Sequence, residues 1–399
     1  MARYHRRDFL RLTSTAAATG LLAAACSGDL GEDDNSAGDP VKIGLILPED
    51  GVYKSLGDDL RRGWDLYLKL HDNKLGGREV RVITANEGEK PDVAVKAAEH
   101  VLGEKVHVAT GIVSSASLVE IQPMFTEAKV PLISMNASPA PVQGKEYGWR
   151  TSYVNDHPSL AFGEYLARVL DGGSMAVITP DYAAGTDHVN AINRRFLAAG
   201  GRLSGDPIRT PFPMGDQSFE PYLQQIEYQG PDAVYCFFAG AEAVRFVKEY
   251  RAFGLADKYP LYAPGWLTEG DVLVAQGEDA LGILTSNNYA HDLDNAANRT
   301  FVAEYQKAYN LSPSSYALAA YDAGWVLDRA IRAVGNDLTS ERIENEIGKV
   351  GKVDSPRGPW EFGKNRSPVQ KWYLREVRKD GEVLGNVVID ELATLGDEA

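Results

Sequence analysis

The sequence predicts an α/β protein built as two doubly wound parallel-sheet lobes. Short β-branched runs alternate with amphipathic helical stretches through residues 41–155. The alternation then restarts and continues to about residue 347. The chain closes on an antiparallel pattern, at 360–362, 370–377 and 383–389, with a turn at Asp380-Gly381. Two lobes, each completed late in the chain, account for all three observations.

Within the first alternation the spacing predicts a strand at 41–47, a helix over 56–71, a strand at 80–84 and a helix over 92–102. Residues 106–139 (VHVATGIVSSASLVEIQPMFTEAKVPLISMNASP) then form a βαβ unit. The strand at 106–110 ends in Gly111 and a hydroxyl cluster, Ser114, Ser115 and Ser117. The helix over 118–128 leads to a strand at 130–134 and a second small polar turn, Asn136, Ala137 and Ser138. In a parallel sheet both turns open at the carboxyl ends of the strands. One lies at a helix N-terminus, whose first N–H groups lack partners and suit a small anion. The alternative is that Ser114 and Ser117 only cap the helix.

The second alternation predicts helices over 158–170, 219–229 and 242–253, and strands at 175–179, 233–238, 259–262 and 281–286. Tyr182 opens a turn into a helix, and Pro264-Gly265-Trp266-Leu267-Thr268 closes the series as a loop. Helices follow over 298–309, 316–334 and 341–347.

The N-terminus has a different character. Arg6-Arg7-Asp8-Phe9-Leu10-Arg11 is a twin-arginine pattern, followed by an Ala/Thr/Leu-rich stretch to residue 25. That stretch is shorter than the ~20 apolar residues that span a bilayer, so residues 1–25 are expected to be an export signal. Leu21-Leu22-Ala23-Ala24-Ala25-Cys26 resembles a lipobox, with Cys26 as the lipidated first residue. Residues 26–40 are acidic and Gly-rich and are expected to form a flexible tether.

The formal charge is −15, and without the signal it moves to about −18 because four Arg and one Asp leave. This argues against nucleic-acid partners. Beyond Cys26 only Cys236 remains, in an apolar run, so no intrachain disulfide is expected after lipidation. Phosphate-binding loops, dinucleotide fingerprints and nucleophile elbows are missing, and no His is spaced with another His or a Cys as metal ligands are. Asp187-His188 and His291-Asp292 are adjacent in sequence, which carries no geometric information. No metal, cofactor or catalytic residue is assigned.

From Lys42 to about Asp390 the chain resembles type I substrate-binding proteins of ABC importers. The branch is that of leucine/isoleucine/valine-binding proteins and their relatives for aromatic acids and amides. The stretches that carry the resemblance include KIGLILPEDGVYKSLGDDLRRGWDLYL, ATGIVSSAS, VPLISMNASP, WRTSY, PDAVYCFFAGAEAVRFVKEY and SPRGPWEF. The resemblance implies the type I periplasmic binding fold, two lobes joined by a three-stranded hinge, closing on one small ligand. The lobes would be 41–155 with 289–354, and 156–288 with 355–392. It implies binding rather than catalysis, with permease and ATPase subunits as partners and a location on the outer face of the cytoplasmic membrane.

The resemblance also implies site residues. Ser115 matches the hydroxyl that holds a ligand carboxylate. Asn136, Ala137 and Ser138 match the turn that adds backbone groups and a second hydroxyl. Tyr182 matches an aromatic ring presented across the cleft, and Phe238 a loop after the next strand. Amino-acid-binding relatives carry an acid that pairs with the ligand ammonium, where this chain has Gly265. A buried ammonium without a partner is costly, and Glu269 replaces it only if the loop folds back. Aromatic surface from Tyr53, Tyr182, Phe238, Trp266 and Tyr289 favours a flat ligand. An aromatic carboxylate of the benzoate kind is therefore expected. A branched-chain amino acid or amide is the alternative ligand, and the ligand-binding part of a signalling receptor the alternative class.

Overall fold

The computed structural model describes residues 39–381 and 383–397. The export signal, Cys26 and the tether up to residue 38 lie outside the described residues.

The first sheet contains β1 (Val41–Leu47), β2 (Lys74–Leu75), β3 (Arg78–Asn86), β4 (Val108–Gly111), β5 (Leu132–Ser134) and β6 (Gly148–Arg150), in the order β2-β3-β1-β4-β5-β6. All of its pairings are parallel except that of β2 with β3. The central strand β1 is apolar on both faces, as a parallel strand between helices must be. Val41, Ile43, Leu45 and Leu47 enter one core cluster, and Ile46 enters another. Helices α1 (Lys54–Leu70), α2 (Pro91–Gly103) and α3 (Ser115–Ala128) provide the crossovers.

The second sheet begins after α4 (His157–Leu170). It contains β7 (Ser174–Pro180), β8 (Arg202–Leu203), β9 (Ile208–Thr210), β10 (Ala233–Cys236), β11 (Leu261–Pro264) and β12 (Leu284–Asn287). These strands run parallel, connected through α5 (Ala183–Ala198), α6 (Glu220–Gln229), α7 (Gly240–Ala252) and α8 (Asp271–Gln276). Cys236 is fully buried on β10. The chain then returns to the first lobe as α9 (Ala296–Tyr309), α10 (Ser315–Val334) and α11 (Ser340–Ile347). Of these, α10 packs on α1, where a Cβ on Gly63 would collide with the Ala317 carbonyl. The tail, β13 (Glu361–Phe362), β14 (Pro368–Asp380) and β15 (Val383–Leu395), adds antiparallel strands to the second sheet, with β14 paired to β12. The ribbon is longer than the sequence pattern predicts.

The chain therefore passes between the sheets at 151–156, 288–295 and 348–360, and one buried network ties all three crossings together. Asp322 on α10 accepts from Arg357 Nε (3.1 Å) and Nη2 (2.5 Å), Ser355 Oγ (2.8 Å) and Trp360 Nε1 (2.9 Å). Arg357 also donates to the carbonyls of Thr151 and Ser152 and to Gln370 Oε1. Asn288 Nδ2 completes the set by donating to Ser152 O (3.1 Å) and Gln370 Oε1 (2.9 Å). Arg357 and Asp322 are almost fully buried, so the pair is strong only while both members are present. Arg357→Met should lower unfolding free energy by about 3–5 kcal/mol, measured by urea denaturation. Adding Asp322→Leu should recover part of that loss.

Candidate functional site

The strand ends of both sheets converge on one narrow interlobe cavity of about 20 Å³. Its position at the carboxyl ends of parallel strands is the usual one for a ligand in this class of sheet. Its first-lobe wall holds Tyr53 ahead of α1, Val113 and Ser115 at the start of α3, Asn136 after β5, and Tyr316 at the start of α10. Tyr153 and Asn155 come from the first crossing. The second lobe supplies Tyr182 and His188 from the start of α5, Phe237 after β10, and Trp266 after β11.

A strained turn aims the β4–α3 loop. Gly111 has φ 119° and the β-branched Ile112 has φ 64°, a conformation that is rare for such a side chain. A Cβ on Gly111 would strike the Ile46 carbonyl. Ile112 is held by its N–H to Ile46 O (2.9 Å) and its carbonyl from Ala137 N (3.0 Å). Beyond it, the buried Glu87 carboxylate accepts from Val113 N and Ser114 N, both at 2.7 Å. Ser114 caps α3, accepting from Ser117 N. The helix start is thus partly occupied by the protein's own acid. Burial pushes the Glu87 carboxyl up to about 7, against the two backbone N–H bonds.

The polar groups of the wall divide into spent and unspent. Asn136 is spent: its Nδ2 donates to Val113 O (2.9 Å) and its Oδ1 accepts from Tyr153 Oη (2.7 Å). Ser115 Oγ accepts from Asn155 Nδ2 (3.1 Å), which leaves its own proton available. Tyr53 Oη and Tyr182 Oη bond each other across the lobes at 2.7 Å, so one proton of the pair is spare. His188 Nε2 and Tyr316 Oη are buried with no partner among the described residues. The lining contains no Asp, Glu, Lys or Arg. It is rich in rings: Trp266 stacks on Tyr153 at 4.1 Å, and Tyr182 on Phe212 at 4.2 Å.

Five residues expected at the site are not among the cavity lining. Phe238 packs between Phe219 and Phe246 in the second-lobe core, and its neighbour Phe237 reaches the cavity. Consecutive residues of an extended segment face opposite ways, so the expectation was out by one position. Tyr289 is enclosed with Leu66, Phe301 and Tyr305, and its hydroxyl donates to Asn298 Oδ1 (2.8 Å). Ala137 spends its N–H on Ile112 O, and Ser138 Oγ pairs with Ser152 Oγ (3.1 Å) behind the wall. Gly265 lies under Asn287 and Arg375, both of which a Cβ there would strike. Ser115, Asn136, Tyr53, Tyr182 and Trp266 do meet at the cavity.

Sequence reasoning missed Tyr153, Asn155, His188, Phe237 and Tyr316. His188 had one readable signal, since it sits four residues after Ala184 on the same helix face. Tyr316 and Asn155 reach the cavity only through long-range packing, which no local pattern encodes.

A larger groove, of about 390 Å³, lies elsewhere between the lobes and is charged. Its acids are already engaged. Glu269 pairs with Arg375 (2.8 Å) and accepts from Ser315 N (2.6 Å) and Asn287 Nδ2 (3.2 Å). Arg62 holds Asp59 and bridges to Asp271 at 2.8 Å.

With this geometry in view, comparison with known proteins gives a consistent result. A family model described as "Periplasmic binding protein" matches residues 40–382. The "Leu/Ile/Val-binding protein homolog 6" of Brucella melitensis is 34% identical over 352 residues, 86% of this chain and 88% of that protein. A solute-binding protein of an ABC transporter from R. palustris, solved with benzoate, is 32% identical with a TM-score of 0.84, covering 90% of this chain and 99% of that one. A leucine binding protein from Thermotoga maritima is 25% identical with a TM-score of 0.77, covering 88% and 99%. By family match and by relatedness along most of its length, the chain belongs to the periplasmic binding proteins, as an ABC transporter solute-binding protein.

Proposed function

We propose that this protein captures a small aromatic carboxylate, benzoate-like in its core, in the interlobe cavity and delivers it to an ABC importer. One observation carries the reading. The cavity wall is aromatic, holds no charged side chain, and has donors as its unspent buried groups. Such a wall suits a flat ligand bearing oxygens and no ammonium. The solved relatives that bind benzoate, 3,4-dihydroxybenzoate and 4-hydroxybenzoate support it, at 32%, 28% and 28% identity. The relatives named for leucine, isoleucine and valine point to the other ligand. An amino acid would need an acid for its ammonium, and Glu269 is committed to Arg375.

The carboxylate is assigned to the Ser115 hydroxyl at the start of α3. The permease and ATPase partners follow from the family. Residues 1–25 are read as a twin-arginine signal and Cys26 as the lipid attachment point. Among the described residues no helix is long and apolar enough to cross a membrane.

Three outcomes test this reading. In thermal-shift screens an aromatic acid at a hundredfold excess over its dissociation constant should stabilise by about 2.7 kcal/mol, and leucine and valine should not. Ser115→Ala should weaken that acid by about one to two orders of magnitude by titration calorimetry, with little change in ligand-free melting. Stabilisation by leucine alone would reject the aromatic ligand. Affinity should also rise as pH falls from 8 to 6. The Glu87 carboxyl, raised to about 7 by burial, loses its charge over that window and ceases to repel an incoming carboxylate, which stays ionised. Glu87→Gln should flatten this dependence. For the anchor, Cys26→Ser should move the protein from the membrane fraction to the soluble one, read by blotting.

A further inference from the structure

His188 has no role in the sequence-derived site, yet it is the second lobe's one buried, unpartnered ring nitrogen on the cavity wall among the described residues. It is 1% exposed, and its ring lies over Phe237 with centroids 4.0 Å apart. Nδ1 is engaged by Ser159 Oγ at 2.8 Å, and Ser159 Oγ is 2.6 Å from Tyr235 Oη. This chain of three groups selects the tautomer. If Nδ1 carried the proton, Ser159 would pass its own to Tyr235, and the Tyr235 proton would be left without an acceptor in a fully buried place. In the opposite order, Tyr235 donates to Ser159 and Ser159 donates to Nδ1, and the one hydrogen left without a partner is that on Nε2. Nε2 then carries the hydrogen and presents it to the cavity. Burial holds the imidazole neutral, pushing its value down to about 3.

A single uncharged N–H against a phenyl ring is a poor site for a carboxylate, whose two oxygens offer about four acceptor positions. It suits one uncharged oxygen. We propose that His188 Nε2–H anchors a ring oxygen of the ligand, a hydroxyl distal to the carboxylate, so that the protein prefers hydroxylated aromatic acids to benzoate itself. The inference rests on the aromatic-carboxylate reading above. It deepens that reading by giving the two lobes different jobs, the first holding the acid group and the second reading the ring substituent. Ser159 and Tyr235 act through His188 and are positioning residues.

The test compares benzoate, 3-hydroxybenzoate and 4-hydroxybenzoate by titration calorimetry. The wild-type protein should bind at least one hydroxylated acid about five- to tenfold more tightly than benzoate. His188→Phe keeps a ring over Phe237 and removes the donor. It should erase that preference, so that benzoate and the hydroxylated acids bind within about twofold of one another. His188→Gln, which restores an N–H near the same place, should recover part of it. A wild-type protein that binds benzoate as tightly as both hydroxylated acids overturns the proposal, as does a His188→Phe variant that weakens all three acids equally. Failure of all three acids to bind wild-type protein overturns the ligand class itself, and is distinguishable because no variant is needed to see it. If His188→Phe does not fold, imidazole ¹⁵N spectra of the wild-type protein decide. An Nε2–H tautomer whose resonance moves with the preferred hydroxybenzoate and not with benzoate supports the proposal, and an Nδ1–H tautomer overturns it.

Discussion

The Asp322 carboxylate is the constraint on which the two-lobed arrangement depends. Four donors, from Arg357, Ser355 and Trp360, end on it, and Arg357 carries the network on to the carbonyls of Thr151 and Ser152. The third crossing is thereby tied to the first, and Asn288 brings in the second. Because the network is anchored on α10, a first-lobe helix, the pivot between the lobes is fixed relative to one of them. The stretch SPRGPWEF, legible in the sequence as a family signature, is explained by this chemistry. Its Ser, Arg and Trp are the three residues that reach Asp322.

Around that pivot the lobes meet through rings, Tyr53 against Phe212 and Trp266 against Tyr316, and through polar contacts that include Ser315 N donating to the buried Glu269. Tyr53 and Tyr182 share a hydrogen bond at the cavity, Ala241 N donates to Val52 O (3.0 Å), and Arg62 bridges to Asp271. A neutral hydrogen bond or a partly exposed ion pair of this kind adds on the order of 1 kcal/mol. A ligand bound by both walls adds to these contacts and shifts the balance toward the geometry in which the walls face each other.

The fold was legible because its parallel strands are short β-branched runs and its helices have clean amphipathic spacing. β1 and the βαβ unit at 106–139 are the clearest cases. The two-residue strands β2 and β8 were not legible, since so few residues carry no periodicity. Of the expected residues, Ser115 and Trp266, on the turns after β4 and β11, line the cavity. Legibility failed where facing direction had to be known to one residue, as with Phe237 and Phe238. It failed too where an aromatic residue could serve equally as core, as Tyr289 does against Phe301 and Tyr305. The donor accounting that distinguishes one carboxylic ligand from another needs partners from five or more segments, and no stretch of sequence holds them together.

The Arg375 guanidinium beside Gly265 has a consequence for how such pockets diverge. It donates to Tyr289 O (2.7 Å), pairs with Glu269, and fills the space that any side chain at 265 would need. Restoring an acid at 265 alone would force it into Asn287 and Arg375. Removing Arg375 alone would strand Glu269 in the interior. A side chain at 265 is therefore coupled to Asn287, Arg375 and, through Arg375, to Glu269. Position 265 is thus held small by the packing of the Arg375–Glu269 pair.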